Sequence, residues 1–123
     1  MVSKTQNPFT RLYKATGYSL AGFAAAYRHE QAFRQEVMVL VIVVPVGLWL
    51  GNSALEYVLL IGSWLLVMLM ELINSAIEAV VDRISDEHHE LAGRAKDIGS
   101  AAVLLAIIMA LMTWGFILLS PSP

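Results

Sequence analysis

Three apolar stretches constrain this chain more than any other feature: Val37–Leu50, Leu55–Ile73 and Ile98–Leu119. A soluble domain of 123 residues could not hide that much apolar surface. Each stretch, with its flanks, reaches the ~20 residues needed to cross the hydrocarbon core of a bilayer. The first extends backwards through Ala32 and Phe33. Pro45 is tolerable inside it, because neighbouring helices can satisfy the carbonyl that a proline leaves free. The polar N-terminus lacks the apolar core of a signal peptide, so no cleaved leader is expected. Cysteine is absent, which excludes disulfides and thiolate chemistry.

All eight Lys and Arg residues fall in two places. Lys4, Arg11, Lys14, Arg28 and Arg34 precede the first span or open it, and Arg83, Arg94 and Lys96 lie between the second and third. The short connection Gly51–Glu56 and the tail Ser120–Pro123 carry none. Basic residues accumulate on the cytoplasmic side of membrane proteins. The N-terminus and second loop are therefore expected in the cytoplasm, and the first loop and C-terminus outside.

Before the first span, Phe9, Leu12, Tyr13, Leu20, Phe23 and Tyr27 recur near a helical period, with Arg11 and Lys14 beside them. This predicts an amphipathic surface helix, weakened and broken at Gly17 and Gly22. It reads either as a helix lying in the cytoplasmic interface or as a plain anchor. Ser53-Ala54-Leu55-Glu56 fits a capping box that opens the second span. The expected fold is an all-α membrane protein, one domain over residues 1–123. Its surface helix covers about 9–29 and its transmembrane helices about 32–50, 55–81 and 97–119. Three helices cannot enclose a membrane site that holds several carboxylates, so subunits are expected to associate. Gly62, Ser63, Gly99, Ser100, Ala101 and Ala102 supply small faces for close contact.

That site is announced by a polar row in the second span: Glu71, Asn74, Glu78 and Asp82. Spacings of three, four and four put them on one helix face. An ionisable group in a membrane helix costs roughly 2.5–3.5 kcal/mol or more, so it usually has a function. Counting about twenty residues from Leu55 ends at Asn74, which sets Glu71 about one turn below the water boundary. Less hydrated there, Glu71 could accept a proton from a hydroxyl; the other reading is a buried carboxyl bonded to Asn74 of a neighbouring helix. Glu30 should lie level with Glu78. Two carboxylates from two helices suit a hard divalent cation that also takes phosphate oxygens; the alternative is a Glu30 paired with Arg28 or Arg34. Lys96, one turn before Gly99 and Ser100, either reaches phosphate or snorkels as an anchor. Glu87-His88-His89-Glu90 lacks the spacing of a zinc site and reads better as a solvated loop against a nucleotide. Trp49 closes the first span as a belt residue, and Trp64 and Trp114 lie within the other two. Nucleotide-binding Gly-rich loops, the protein-kinase set and a basic, aromatic nucleic-acid face are all missing.

Phe33-Arg34-Gln35-Glu36, the run from Glu71 to Arg83, and His89-Glu90-Leu91-Ala92-Gly93-Arg94-Ala95-Lys96-Asp97 closely resemble the bacterial integral-membrane diacylglycerol kinase family. The match runs from about Phe9 to Trp114. It implies a homotrimeric bundle with active sites shared between subunits, in the bacterial inner membrane. It also implies phosphorylation of diacylglycerol to phosphatidic acid by ATP and Mg2+, with no nucleic-acid partner. Through the resemblance Glu71 looks like the general base, with Asn74 beside it, and Glu30 and Glu78 look like the metal ligands. Lys96 and Asp97 would contact the nucleotide, with Arg11, Tyr18, Glu87, His88 and His89 as further contacts. The family's lipid cleft falls on Arg11, on Ala15, Thr16, Gly17, Tyr18, Ser19 and Leu20, and on Ala24, Ala25, Ala26 and Tyr27. It continues over Ala32, Phe33, Arg34, Gln35 and Glu36, then Glu71, Ser100 and Trp114. His29, beside Glu30, stands where a smaller polar residue is expected.

Three rival readings remain. An undecaprenol kinase of the same family would also phosphorylate a primary hydroxyl near the interface. A small proton-coupled exporter subunit would use Glu71 but leave Glu30, Asn74, Glu78 and Lys96 without roles. A non-enzymatic assembly subunit would tolerate loss of the Glu71 charge.

Overall fold

Asn7 accepts a hydrogen bond from the Thr10 amide (2.8 Å) and Pro8 follows it, so the chain enters a helix at once. The computed structural model describes residues 7–84 and 89–121, arranged as four helices. They are α1 (Pro8–His29), α2 (Gln31–Leu50), α3 (Ala54–Ile84) and α4 (Glu90–Leu119). The break expected at Gly17 and Gly22 does not occur, because α1 is continuous through both. Each glycine costs a helix about 1 kcal/mol relative to alanine. That is too little to interrupt 22 residues capped in this way.

Glu30 alone separates α1 from α2, with an extended backbone that makes an elbow. The last carbonyls of α1 would lack partners there. Arg34 supplies them: its Nη1 donates to Tyr27 O (2.8 Å) and Arg28 O (3.0 Å). At the other end of α2, the short turn through Gly51 hands the chain to α3. A Cβ on Gly51 would stand 2.6 Å from the Tyr57 ring. Ser53 Oγ accepts from the Glu56 amide (3.2 Å), one half of the expected capping box. The other half is displaced by one residue, since Glu56 Oε1 accepts from Asn52 N.

α2, α3 and α4 are each long and apolar enough to cross a membrane. α3 is the central helix, packed on α4 along most of its length and on α2 over a shorter stretch, while α1 touches α2. Trp114 Nε1 donates to Leu60 O (3.0 Å), Asn74 abuts Gly99, and Lys96 pairs with Asp82. Rising numbers on α3 meet falling numbers on α4, so the two run antiparallel. At 1.5 Å per residue the 31 residues of α3 span about 46 Å, against a bilayer core of about 30 Å. α4, with 30 residues, is similarly long. Both therefore project several turns beyond the hydrocarbon, at the end carrying Asp82 and Lys96.

Two small cores hold the bundle. One gathers Ala26, Phe33 and Met68; the other Val67, Ala106 and Ala110. Trp64 packs against both and donates from Nε1 to Glu36 O (2.9 Å), which pins the start of α2 to α3. Most remaining large apolar side chains on the long helices, among them Val41, Ile42, Val58, Leu104 and Leu111, face outward. That is the surface of a protein whose solvent is lipid.

Candidate active site

The carboxylates converge where α2 begins and α3 leaves the apolar zone. Glu71 is 7% exposed and Asn74 8%, on the inner face of α3; Glu36, on α2, is 8% exposed. Glu30 and Glu78 are half-buried. Both lie close enough to Glu71 for their charges to act on it, as does Glu36. Four acidic groups thus share one region at the membrane edge. Measured along α3, Glu71 stands about 26 Å from Ala54, just inside a core of about 30 Å, whereas Glu78 stands about 36 Å away and beyond it.

Asn74 donates from Nδ2 to Glu78 Oε1 (3.2 Å), its neighbour one turn on. Its Oδ1 is buried without a hydrogen-bond partner, as is Glu36 Oε1. Glu30 makes no ion pair with Arg28 or Arg34, whose guanidinium is occupied by the α1 carbonyls. The structural pairing that would have explained Glu30 without chemistry is therefore absent. Among the described residues no group of three or more acidic or histidine side chains forms a cage. Glu30 and Glu78 offer two hard oxygen donors with water access. A magnesium ion is commonly held by one or two carboxylates with phosphate oxygens completing its shell, so these two are the candidate donors.

Lys96 sits on the same side of α4, its Nζ 2.6 Å from Asp82 Oδ1. The side chains of this pair are 42% and 63% exposed, so it is an open, solvent-screened surface pair that adds little to stability. It leaves the ammonium accessible to a stronger anion. Asp97 and Ser100 are exposed beside it. His89 caps α4, its Nδ1 accepting from Leu91 N (3.0 Å). Glu87 and His88 lie outside the described residues.

Two open grooves flank the elbow. One, about 580 Å³, runs between Ser19, Phe23, Ala26 and Glu30 on one side and Leu72, Ser75 and Ala79 of α3 on the other. Ala25 lines it as well. The other, about 910 Å³, is formed by Ala24, Tyr27, Phe33, Arg34, Leu65 and Met68. Both are mostly apolar, as a lipid site requires, and the first reaches the carboxylate region at Glu30. Thr16, Gly17 and Leu20 line a third groove near the start of α1. Ala15, Ala32 and Gln35 are exposed. Arg11 and Tyr18 are not brought to the carboxylates within this chain. Along α1 they stand about 28 and 18 Å from Glu30. Trp114 is about 21 Å along α4 from Ser100, near the opposite membrane face.

Sequence reasoning missed the close approach of Gly99 to Asn74, the partnership of Asn74 with Glu78 on its own helix, and the Arg34 clasp on the elbow. The glycine and serine beside each other at Gly99-Ser100, in an apolar helix, were the available signal for the first.

A family model described as prokaryotic diacylglycerol kinase matches residues 17–118. The chain is similar to a diacylglycerol kinase of Escherichia coli strain K12, 57% identical over 112 residues that cover 91% of this chain and 92% of that one. It is 51% identical over 116 residues to one of Pseudomonas aeruginosa, covering 94% of each. To one of Helicobacter pylori it is 42% identical over 112 residues, covering 91% of this chain and 88% of that one.

Proposed function

The chain belongs to the prokaryotic diacylglycerol kinase family, and we propose that it moves the γ-phosphoryl of ATP to the primary hydroxyl of diacylglycerol, giving phosphatidic acid and ADP. The enzyme is a lipid kinase with three membrane-length helices, acting as one domain at the cytoplasmic face of the inner membrane. One observation carries the assignment of its chemistry. Glu71, nearly dry, lies at the bilayer edge within reach of the charges of Glu30 and Glu78.

Phosphoryl transfer needs positioning and charge stabilisation more than covalent help from the protein. Glu71 takes the proton of the lipid hydroxyl, whose oxygen forms the new P–O bond as the β–γ bridging bond breaks and ADP departs. Asn74 holds Glu78 in place. Glu30 and Glu78 would hold Mg2+ on the ATP phosphates, where the ion supplies charge neutralisation. Lys96 exchanges Asp82 for phosphate, and Asp97 with His89 borders the nucleotide. The grooves beside Phe23 and Tyr27 receive the acyl chains, so the hydroxyl approaches from the bilayer and the nucleotide from water. The basic residues of the N-terminus and second loop support this orientation.

A homotrimer with shared sites accounts for two things. One subunit alone leaves Glu36 Oε1 unpaired and Arg11 and Tyr18 far from the carboxylates. The direct test is ATP turnover by purified protein in mixed micelles, with diacylglycerol or undecaprenol supplied. Turnover dependent on diacylglycerol, and at least tenfold lower with undecaprenol (about 1.4 kcal/mol of transition-state preference), is the expected result. The reverse preference would make it an undecaprenol kinase.

A further inference from the structure

Asn74 owes its position to what faces it on α4. A Cβ built on Gly99 would collide with Asn74 Oδ1 and stand 3.2 Å from its Cγ. Gly62 and Gly115, in the same two helices, have nothing within 4 Å, so the close approach is particular to Gly99. Chemistry fixes which way the amide turns. An ionised carboxylate only accepts, so the NH2 group faces Glu78 and the oxygen faces Gly99. That oxygen is buried and takes no hydrogen bond. Shape alone holds that end of the amide.

We propose that Gly99 is a positioning residue for the nucleotide end of the site: its missing side chain admits the Asn74 amide in the rotamer that ties down Glu78. The proposal rests on the reading of Glu78 as a magnesium ligand. Asn74 is a short side chain with two torsions, so a methyl group at Gly99 is absorbed by swinging its amide away. The swing breaks the 3.2 Å bond and frees Glu78 to adopt other rotamers. Gly99 touches neither lipid nor nucleotide in this account. It acts through Asn74, and that makes its effect separable from general packing.

The test compares wild type, Gly99→Ala, Asn74→Ala and the double variant, with Glu78→Gln in parallel. Mn2+ binding is followed by the EPR signal of the free ion, in the presence of a non-hydrolysable ATP analogue and without turnover. Gly99→Ala should weaken Mn2+ binding about tenfold, the scale of one hydrogen bond to a charged group, and leave the KM for diacylglycerol within about twofold. The double variant should bind Mn2+ no more weakly than Asn74→Ala, because the interaction has already gone. It should fold well, since the new Cβ would meet Asn74 Cβ at an ordinary 3.8 Å. If Gly99→Ala alone cannot be purified, Asn74→Ala and the double variant still decide by the same criterion. Normal Mn2+ binding in Gly99→Ala, or a further loss in the double variant, overturns the proposal while a weakened Glu78→Gln leaves the metal reading standing. Normal Mn2+ binding in Glu78→Gln removes the metal reading itself, and the proposal with it.

Discussion

Replacing Trp64 with phenylalanine tests whether the bundle is joined where the two cores meet. Trp64 packs against both clusters and donates to Glu36 O at 2.9 Å. The carbonyl lies within α2 and keeps its helical partner, so the substitution orphans no buried group. Interhelical hydrogen bonds in membranes average about 0.6 kcal/mol. The smaller ring vacates roughly 40 Å³, which at ~24 cal/mol per Å³ adds at most about 1 kcal/mol at this half-buried site. The sum is at most about 1.5 kcal/mol, while Trp64→Ala at this half-buried site should cost more, but less than the ~3–5 kcal/mol of a fully buried tryptophan. Trp49, 81% exposed, is the control: its change to phenylalanine should cost less than about 0.5 kcal/mol. Reversible unfolding in mixed micelles with increasing SDS, followed by circular dichroism, measures all three. Equal costs for Trp64→Phe and Trp49→Phe would refute the claim that Trp64 joins the two cores.

Glu30→Gln and Glu78→Gln should each raise the Mg2+ concentration needed for half-maximal turnover by about tenfold or more, with a smaller change in the KM for lipid. Superimposable Mg2+ titrations for both variants and wild type would remove these residues from the metal site. Glu71→Gln and Glu30→Gln proteins, each strongly impaired at limiting Mg2+, should regain part of the activity when their subunits are exchanged. Some mixed assemblies then contain an intact site if the two residues of one site come from different chains. No recovery after verified exchange would confine each site to a single chain.

The three spans were legible because runs such as Leu55–Ile73 exceed anything a soluble core of this size can bury. The row from Glu71 to Asp82 was legible too, since its spacing alone fixes one helix face. What the spacing could not give was partnership. Whether Asn74 reaches Glu78 one turn away or another helix depends on how closely α4 approaches, and Gly99 decides that. The elbow was hidden for a similar reason. Glu30 is an isolated extended residue, and the clasp from Arg34 spans seven positions that no periodic pattern marks. The start of α4 was expected at about 97 because hydropathy ends at the bilayer, whereas the helix begins about two turns earlier, at Glu90; α3, expected to about 81, ends close by at Ile84. Composition misled at Gly17 and Gly22, where good capping at Asn7 and an alanine-rich second half outweigh two glycines.

The central claim is that Glu71 accepts the proton of the lipid hydroxyl, and the kinetics of Glu71→Gln test it most directly. The amide is nearly the same shape and costs less to bury, so the helix should stay packed. ATP and diacylglycerol should bind nearly as before, whereas kcat should fall by about 10² or more, the usual scale for losing a positioned base. A parallel fall in kcat and kcat/KM would mark an interaction made only in the transition state. A folded Glu71→Gln protein with near-normal kcat would contradict the account, placing the proton acceptor elsewhere and leaving Glu71 a structural residue.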